Sequence, residues 1–162
     1  MTATLKDRDI SYLKALQLVD DELKLVFKEK KQTTKPDDRV AVYYFDMIHA
    51  ETGAKMGFIN VKAGYTDNIV HYRGNIGYAV LEQYQGKRYA ARSCQLLKGV
   101  IKYLGLSAVY ITCNADNDAS RKAIESIGAT YLETVTIGRH SPYYLYYTGQ
   151  DRVKLRYIWE IE

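Results

Sequence analysis

The sequence has little cysteine and proline and lacks any long apolar run. Its two cysteines, Cys94 and Cys113, do not make a disulfide framework, and a reducing compartment fits them. No apolar run reaches membrane-spanning length, and the first residues contain no apolar signal-peptide core. We therefore expect a cytoplasmic protein that has no membrane partner.

No charge of one sign dominates the chain. Its formal net charge is +4, and the main basic run, residues 28–31, is interrupted by Glu29. Nucleic-acid binders usually concentrate their basic residues, so we interpret this run as a solvated helix face and expect no nucleic-acid partner. The 16 tyrosines exclude a disordered chain. We find no repeat or linker, so residues 1–162 are expected to form a single domain.

The central stretch, residues 76–104, reads as a strand, a short loop and a helix. Residues 76–80 are apolar and β-rich, and residues 85–90 form a loop that contains Gly86. The helix has one apolar stripe at steps of four and three residues, formed by Ala90, Cys94, Leu97, Ile101 and Leu104. A glycine-bearing loop that leads into a helix N-terminus suits a phosphate group. The alternative is an ordinary joint whose glycine only makes the turn.

A second strand and helix follow directly. Residues 107–113 read as a strand, and Asn117 opens a helix that stops at Gly128. Asn117 with Ser120 three residues later is favourable N-cap chemistry, which by itself explains both residues.

With these elements in this order, the sequence resembles the GNAT N-acetyltransferase superfamily. That family has a strand, a loop of the form (Arg/Gln)-x-x-Gly-x-(Gly/Ala), a helix, a strand and then Asn-x-x-(Ala/Ser) opening a helix that ends in glycine. Residues 85–90 and 117–120 occupy these motifs, and the resemblance runs from about residue 40 to residue 133. Residues 72–78 and 89–92 resemble a bacterial branch of such acetyltransferases.

The resemblance implies an α+β fold with a mixed, mostly antiparallel central sheet, splayed middle strands and flanking helices. It also implies acetyl-CoA as cosubstrate, without a metal. The residues expected to bind it come from the end of the first strand, the loop, the helix start and the second helix: Ala79, Val80, Leu81, Gln85, Gly86, Lys87, Arg88, Tyr89, Ala90, Ala91, Asn117 and Ser120.

Three positions depart from the family pattern. Arg88 replaces the central loop glycine, Ile124 replaces a tyrosine that often protonates the leaving thiolate, and Asn75 stands where a carboxylate base is common. The sequence therefore secures no catalytic residue. The candidates are Ser120, Tyr143 and Glu82, with Tyr144, His71 and Glu51 as further alternatives. Cys113 has no histidine near it in sequence, so we interpret it as a core residue rather than a nucleophile.

The remaining elements are expected from local patterns. We predict a strand within residues 12–19, a helix over 22–31, a polar loop over 33–38 and a hairpin from 40 to 61 that turns at 51–53. Further strands are predicted over 71–80, 131–137 and 153–161. The family usually has two helices between its first two strands, whereas this sequence predicts only one, so the acceptor pocket is undefined.

The leading hypothesis is an N-acetyltransferase that moves an acetyl group from acetyl-CoA to a primary amine by direct attack. The alternative is an acyl-CoA-binding module without turnover. The acceptor is either a small-molecule amine or a protein or peptide amine, and the protein is expected to be a monomer or a homodimer.

Overall fold

The computed structural model describes residues 2–33 and 39–162, with side chains from residue 9 onward. Within these residues four α-helices and eight strands follow one another in this order: α1 (Thr2–Ala15), β1 (Leu18–Asp20), β2 (Leu23–Gln32), β3 (Ala41–His49), β4 (Lys55–Lys62), β5 (Ile76–Val80), α2 (Tyr89–Leu96), α3 (Lys98–Tyr103), β6 (Ala108–Asn114), α4 (Asp118–Ser126), β7 (Thr130–Thr136) and β8 (Val153–Glu160). In this described part of the chain, no helix is long and apolar enough to span a membrane.

The strands form two antiparallel sheets. The first has the order β1-β2-β3-β4-β5 and the second the order β6-β8-β7, and β5 and β6 do not pair with each other. These two strands therefore diverge in the middle of the molecule. The predicted α+β architecture with splayed middle strands is confirmed.

One hydrophobic core joins the two sheets to the helices. It combines side chains from β2, β3, β4 and α1 with the predicted stripe of α2 and α3, where Cys94, Leu97 and Ile101 are buried. The predicted long helix is interrupted at Leu97, which has a ψ of −3° and separates α2 from α3. Cys113 belongs to this core, as the sequence analysis expected.

The N-terminal part differs from the sequence prediction. The sequence predicts a strand within residues 12–19, but residues 12–15 belong to helix α1 and only Leu18–Asp20 form strand β1. The predicted helix over 22–31 is strand β2. The reason is the alternation of Leu23, Leu25 and Phe27, which are all buried and face the core with a period of two residues. Basic residues 28–31 therefore lie on a strand, not on a helix face.

No helix occurs between β2 and β3 in the residues that the structure describes. The two strands pair directly from Leu23↔His49 to Gln32↔Ala41. Residues 34–38 of the predicted polar loop lie outside the described residues. The hairpin of β3 and β4 is confirmed, and Gly53 adopts a φ of 75° in its turn. Residues 71–75 are not strand, because a π-helical turn, Ile69–Arg73, precedes β5.

Asn75 connects the two sheets at the closed end of the divergence. Its backbone N–H donates to Tyr110 O at 2.6 Å, and its Oδ1 accepts from Tyr110 N at 2.8 Å. Its Nδ2 donates to Lys62 O at 2.9 Å and to Gly64 O at 2.8 Å. The side chain is 0% exposed. Asn75 thus fixes β6 beside β5, and its role in the structure is that of a bridge between the sheets.

We expect Asn75→Ala to lower the free energy of unfolding by about 3 kcal/mol, because it removes side-chain hydrogen bonds to three buried or half-buried backbone groups, Lys62 O, Gly64 O and Tyr110 N. Chemical denaturation measures this loss. Gln95→Ala, which removes an exposed amide from α2, is the control and should change stability by less than about 0.5 kcal/mol. Equal stability of the two variants would contradict the role given to Asn75.

Candidate active site

A cleft opens where β5 and β6 diverge, between β5, the start of α2 and one face of α4. Its volume is about 780 Å³, which is within the range of ligand-binding pockets. All residues expected from the sequence to bind the cosubstrate line it, except Leu81 and Lys87. The structure therefore brings ten of these residues together around one cleft.

The edge of β5 that faces the cleft offers backbone groups. Lys62 N donates to Asn75 O and Leu81 N donates to Met56 O, so odd-numbered residues of this segment pair with β4. By the alternation of antiparallel pairing, the N–H and C=O groups of Ile76, Tyr78 and Val80 point the other way. The backbone groups of Ala79 and Leu81 therefore pair with β4, and of the three residues named from the sequence only Val80 presents its backbone polar groups to the cleft.

The loop before α2 has the geometry of an anion cradle. Gly86 has a φ of 89°, and Arg88 has a φ of 63° and a ψ of 27°. Arg88 thus adopts the left-handed conformation that its glycine counterpart would favour, at a cost of about 1–2 kcal/mol. The N-terminus of α2 has no side-chain cap and no acidic residue in its first turn. The first N–H groups of α2, from Tyr89 to Ala91, have no intrahelical acceptor and can bind a phosphate.

Arg92 fixes this loop to the β1–β2 turn. Its guanidinium donates to Asp20 Oδ2 at 2.7 Å, to Glu22 Oε1 at 2.7 Å and to Lys87 O at 3.3 Å. The hydrogen bond from Arg92 lowers the pKa of Glu22 to about 2. Tyr89 is 3% exposed and its hydroxyl also contacts Glu22, so its side chain supports the loop from inside the protein. Gln85 Nε2 donates to Val80 O at 3.0 Å, which ties the loop to β5.

Helix α4 forms the opposite wall. Asn117 caps it, with its Oδ1 accepting from Ser120 N at 3.1 Å. None of the described residues is an acceptor for the Asn117 amide N–H groups. Further wall residues that the sequence analysis missed are Ala119, Lys122, Ala123 and Ser126. They repeat at helical spacing on the face that carries Ser120, and this spacing was the signal that could have identified them.

Tyr78 and Ser120 meet across the cleft. Tyr78 Oη lies 2.6 Å from Ser120 Oγ, and both residues line the cavity. Burial raises the pKa of Tyr78. The Cys113 thiol lies beside Ser120, and burial raises its pKa as well, so the thiol is neutral. Sequence reasoning did not single out Tyr78.

The other candidate catalysts lie outside the cleft lining. Tyr143 is buried against Tyr72, with 5.6 Å between ring centroids. Glu82 is exposed at the start of a 3-10 turn, Glu82–Tyr84, and Glu51 is exposed in the β3–β4 turn. His71 Nδ1 lies 2.9 Å from Asp67 O.

Two further positions also lie outside the cleft lining. The ring of Tyr144 is covered by Arg152 at 3.5 Å. Ile124, at the position of the family tyrosine, is 1% exposed and part of the core. Of the candidates, only Ser120 reaches the cleft. Among the described side chains, no three His, Cys, Asp or Glu residues are grouped as a metal site requires.

Comparison with known proteins identifies related domains. A family model described as "Acetyltransferase (GNAT) domain" matches residues 3–130. No curated protein matches the chain.

Several solved structures share the fold. One is the Salmonella typhimurium acetyltransferase that modifies the N-terminal serine of a 50S ribosomal subunit protein, with 20% identity and a TM-score of 0.56 over 75% of this chain and 64% of that one. Another, the microcin C7 self-immunity acetyltransferase MccE in complex with acetyl-CoA and AMP, has 17% identity and a TM-score of 0.55, covering 74% and 61%. A Vibrio cholerae protein provisionally assigned as a ribosomal-protein-serine acetyltransferase has 15% identity and a TM-score of 0.59, covering 91% and 98%. The chain thus spans less than two thirds of the first two.

We expect Arg88→Gly to raise the free energy of unfolding of the unliganded protein by about 0.5–1 kcal/mol. Relief of the left-handed conformation exceeds the entropy that glycine adds to the unfolded chain. Lys87→Gly is the matched control, because Lys87 has no positive φ, and it should lower stability instead. Thermal unfolding of both variants measures the difference. A loss of stability in Arg88→Gly would contradict the strain at this position.

Glu22 should make the stability of the protein pH-dependent. Its folded-state pKa of about 2 is below its ordinary value, so its contribution is present above about pH 4.5 and is lost as the pH falls towards 2. Glu22→Gln should therefore be less stable than the wild type at about pH 6, and the gap should narrow below about pH 4.5 and close at about pH 2. Unfolding curves across this range test it, and high salt should reduce the gap as well. A gap that stays constant with pH would refute the coupling to Arg92.

Proposed function

The chain belongs to the GNAT acetyltransferase family, and on that basis we propose that it moves an acetyl group from acetyl-CoA to a primary amine by direct attack. Residues 1–162 act as one domain in the cytoplasm, as a monomer or homodimer without a nucleic-acid partner. The observation that carries this proposal is the cleft between β5 and α4, which ends at an uncapped helix N-terminus.

The residues present fit coenzyme A. The pyrophosphate is held by the first N–H groups of α2, with Lys87, Arg88 and Lys122 supplying positive charge around the loop and the α4 wall. The pantetheine arm pairs with the cleft-facing backbone of β5 as an added strand would. The Asn117 amide, whose oxygen is used by the cap, donates to the same arm.

The chemistry requires an oxyanion site and a proton. The N–H of Val80 faces the cleft and stabilises charge that develops on the thioester oxygen when the amine attacks. Ser120 is the proton donor to the departing thiolate, because its hydroxyl lines the cleft. No described carboxylate or imidazole in the cleft lining acts as a base, so reactivity depends on positioning and on a neutral amine.

The acceptor that fits best is an α-amine on a peptide or protein. An α-amine with a pKa of about 8 is roughly a tenth neutral at cellular pH, whereas a lysine is about a thousandth neutral. One row of side chains, Val26, Asp46 and Phe58, leads across the sheet to Ala79 in the cleft. Val26 and Phe58 are each 40% exposed, and no described helix covers the row. An open strip of this kind suits an extended peptide as acceptor. The Salmonella typhimurium relative likewise modifies the N-terminal serine of a protein.

The second candidate is an acyl-CoA-binding module without turnover. Two observations favour it: the left-handed Arg88 in place of the loop glycine, and Ile124, which is buried where the family places its proton donor. Turnover separates the two functions, since both require the cleft to bind acetyl-CoA.

Calorimetric titration with acetyl-CoA tests the cleft, with ATP and NAD as control ligands. We expect acetyl-CoA alone to bind, with a dissociation constant of about 1–100 µM. Asn117→Ser keeps a capping oxygen and loses the amide, so it should weaken binding by about tenfold while keeping helix α4. Asn117→Ala removes both the capping oxygen and the amide, so it should weaken acetyl-CoA binding and also destabilise helix α4. If Arg88→Gly weakens binding, Arg88 is a phosphate ligand; if it strengthens binding, Arg88 is an obstruction.

Release of coenzyme A is then measured with peptides bearing a free N-terminal serine, alanine or methionine, and with polyamines, amino acids and aminoglycosides. The same peptides with blocked N-termini are the matched controls. Turnover that requires the free peptide α-amine supports the proposed acceptor. Binding without turnover of any amine would establish the second candidate, and absence of binding would reject both.

A further inference from the structure

A short hydrogen bond connects the two walls of the cleft. Tyr78 comes from β5 and Ser120 from α4, and 2.6 Å separates Tyr78 Oη from Ser120 Oγ. This distance is at the strong end for a bond between hydroxyl groups. The elements that carry the two residues belong to opposite sides of the cavity, so the bond also fixes the width of the cleft at this point.

The direction of this bond follows from the available acceptors. Among the described residues, the acceptors within reach of the Tyr78 hydroxyl both belong to Ser120: Oγ at 2.6 Å and the carbonyl oxygen at 3.5 Å. The carbonyl oxygen is at the outer limit of a hydrogen bond. Burial raises the pKa of Tyr78, so the phenol keeps its proton at cellular pH. The 2.6 Å distance fits either direction, and we assign the donor role to Tyr78 because its other acceptor, the Ser120 carbonyl oxygen, is 3.5 Å away.

A serine hydroxyl that accepts one hydrogen bond retains its own proton for another partner. Two directions are open to it. One is the Cys113 sulfur, which burial keeps as a neutral thiol and which is a weak acceptor. The other is the cleft that Ser120 lines. An anionic sulfur in the cleft would be the better acceptor of the two.

We propose that Tyr78 is a positioning residue for acetyl transfer, because its phenol holds Ser120 Oγ so that the serine proton faces the leaving sulfur of coenzyme A. This inference rests on the proposed function. In the step, the amine nitrogen bonds to the acetyl carbon, the carbon–sulfur bond breaks and its electron pair stays on sulfur. Ser120 gives its proton to that sulfur and regains one from the amine through solvent. Tyr78 keeps its proton throughout.

Tyr78→Phe tests the inference, because it removes the hydroxyl and keeps the ring. We expect kcat to fall by about 10- to 100-fold, while KM for acetyl-CoA changes by less than about twofold. Ser120→Ala should lose at least as much, and the double variant should be no slower than Ser120→Ala, since Tyr78 acts through Ser120. Tyr103→Phe is the control. It removes a hydroxyl that donates to Asp9, outside the cleft, and should leave kcat unchanged.

The pH dependence gives a second readout that a structural role would not affect. A thiolate needs no proton donor once the pH exceeds the thiol pKa, which is about 8.5 for a free thiol. The ratio of wild-type to Tyr78→Phe kcat should therefore shrink as the pH rises from about 7 to about 10. The charged residues around the nearby Cys113 are the same in both proteins, so any effect of their titration on kcat cancels in this ratio. They are Lys154, Arg121 and Glu125.

Three results would overturn the inference: an unchanged kcat in Tyr78→Phe, additive losses in the double variant, or a loss that does not depend on pH. Calorimetry with acetyl-CoA and thermal unfolding verify that each variant is folded and binds. Absence of wild-type turnover with every amine would overturn the proposed function together with this inference. Normal wild-type turnover that Tyr78→Phe leaves intact would overturn this inference alone.

Discussion

The backbone polar groups on the facing edges of β5 and β6 need hydrogen-bond partners. At the end where the two strands are closest, the buried side-chain amide of Asn75 provides one. Asn75 forms hydrogen bonds to Tyr110 of β6 and to Lys62 of β4. It therefore joins the two sheets at a point where β5 and β6 do not pair with each other. Beyond this point the strands separate, and the edge of β5 is left for a ligand. The cleft, the loop at its mouth and the helix that walls it are arranged around that separation.

Local patterns predicted most of the second half of the chain. The strand–loop–helix unit has a glycine-bearing loop and regular apolar spacing, and the Asn117 helix has a side-chain cap and a glycine stop. These signals do not depend on distant residues. The first half was harder. Asp20 and Asp21 resemble a helix cap, and the following lysines suit a helix surface. Yet Asp21 takes a φ of 53° in a tight turn. The segment after it is a strand because its alternating apolar residues are buried when it pairs with β3.

The candidate site divides in the same way. Its backbone donors follow from the motif, whereas its side-chain chemistry depends on which elements approach one another. The pairing of Tyr78 with Ser120 joins residues 42 positions apart and has no signature in sequence. The conformation of Arg88 was also hidden, because arginine is seldom found with positive φ. Asn75 was noticed only as a missing carboxylate, since its structural role requires β6 to lie beside it.

The strand order of the second sheet has a consequence for how the protein forms during synthesis. Strand β8 lies between β6 and β7 although both precede it in the chain, and it supplies the pairing partners of both. The ribosome therefore releases β6 and β7 before either can join a sheet, while β1 to β5 pair with sequence neighbours. The first sheet can assemble early as a chain of hairpins. The β6 side of the cleft can form only after residues 153–160 have been synthesised. Until then the edges of β6 and β7 that pair with β8 are open to non-native pairing.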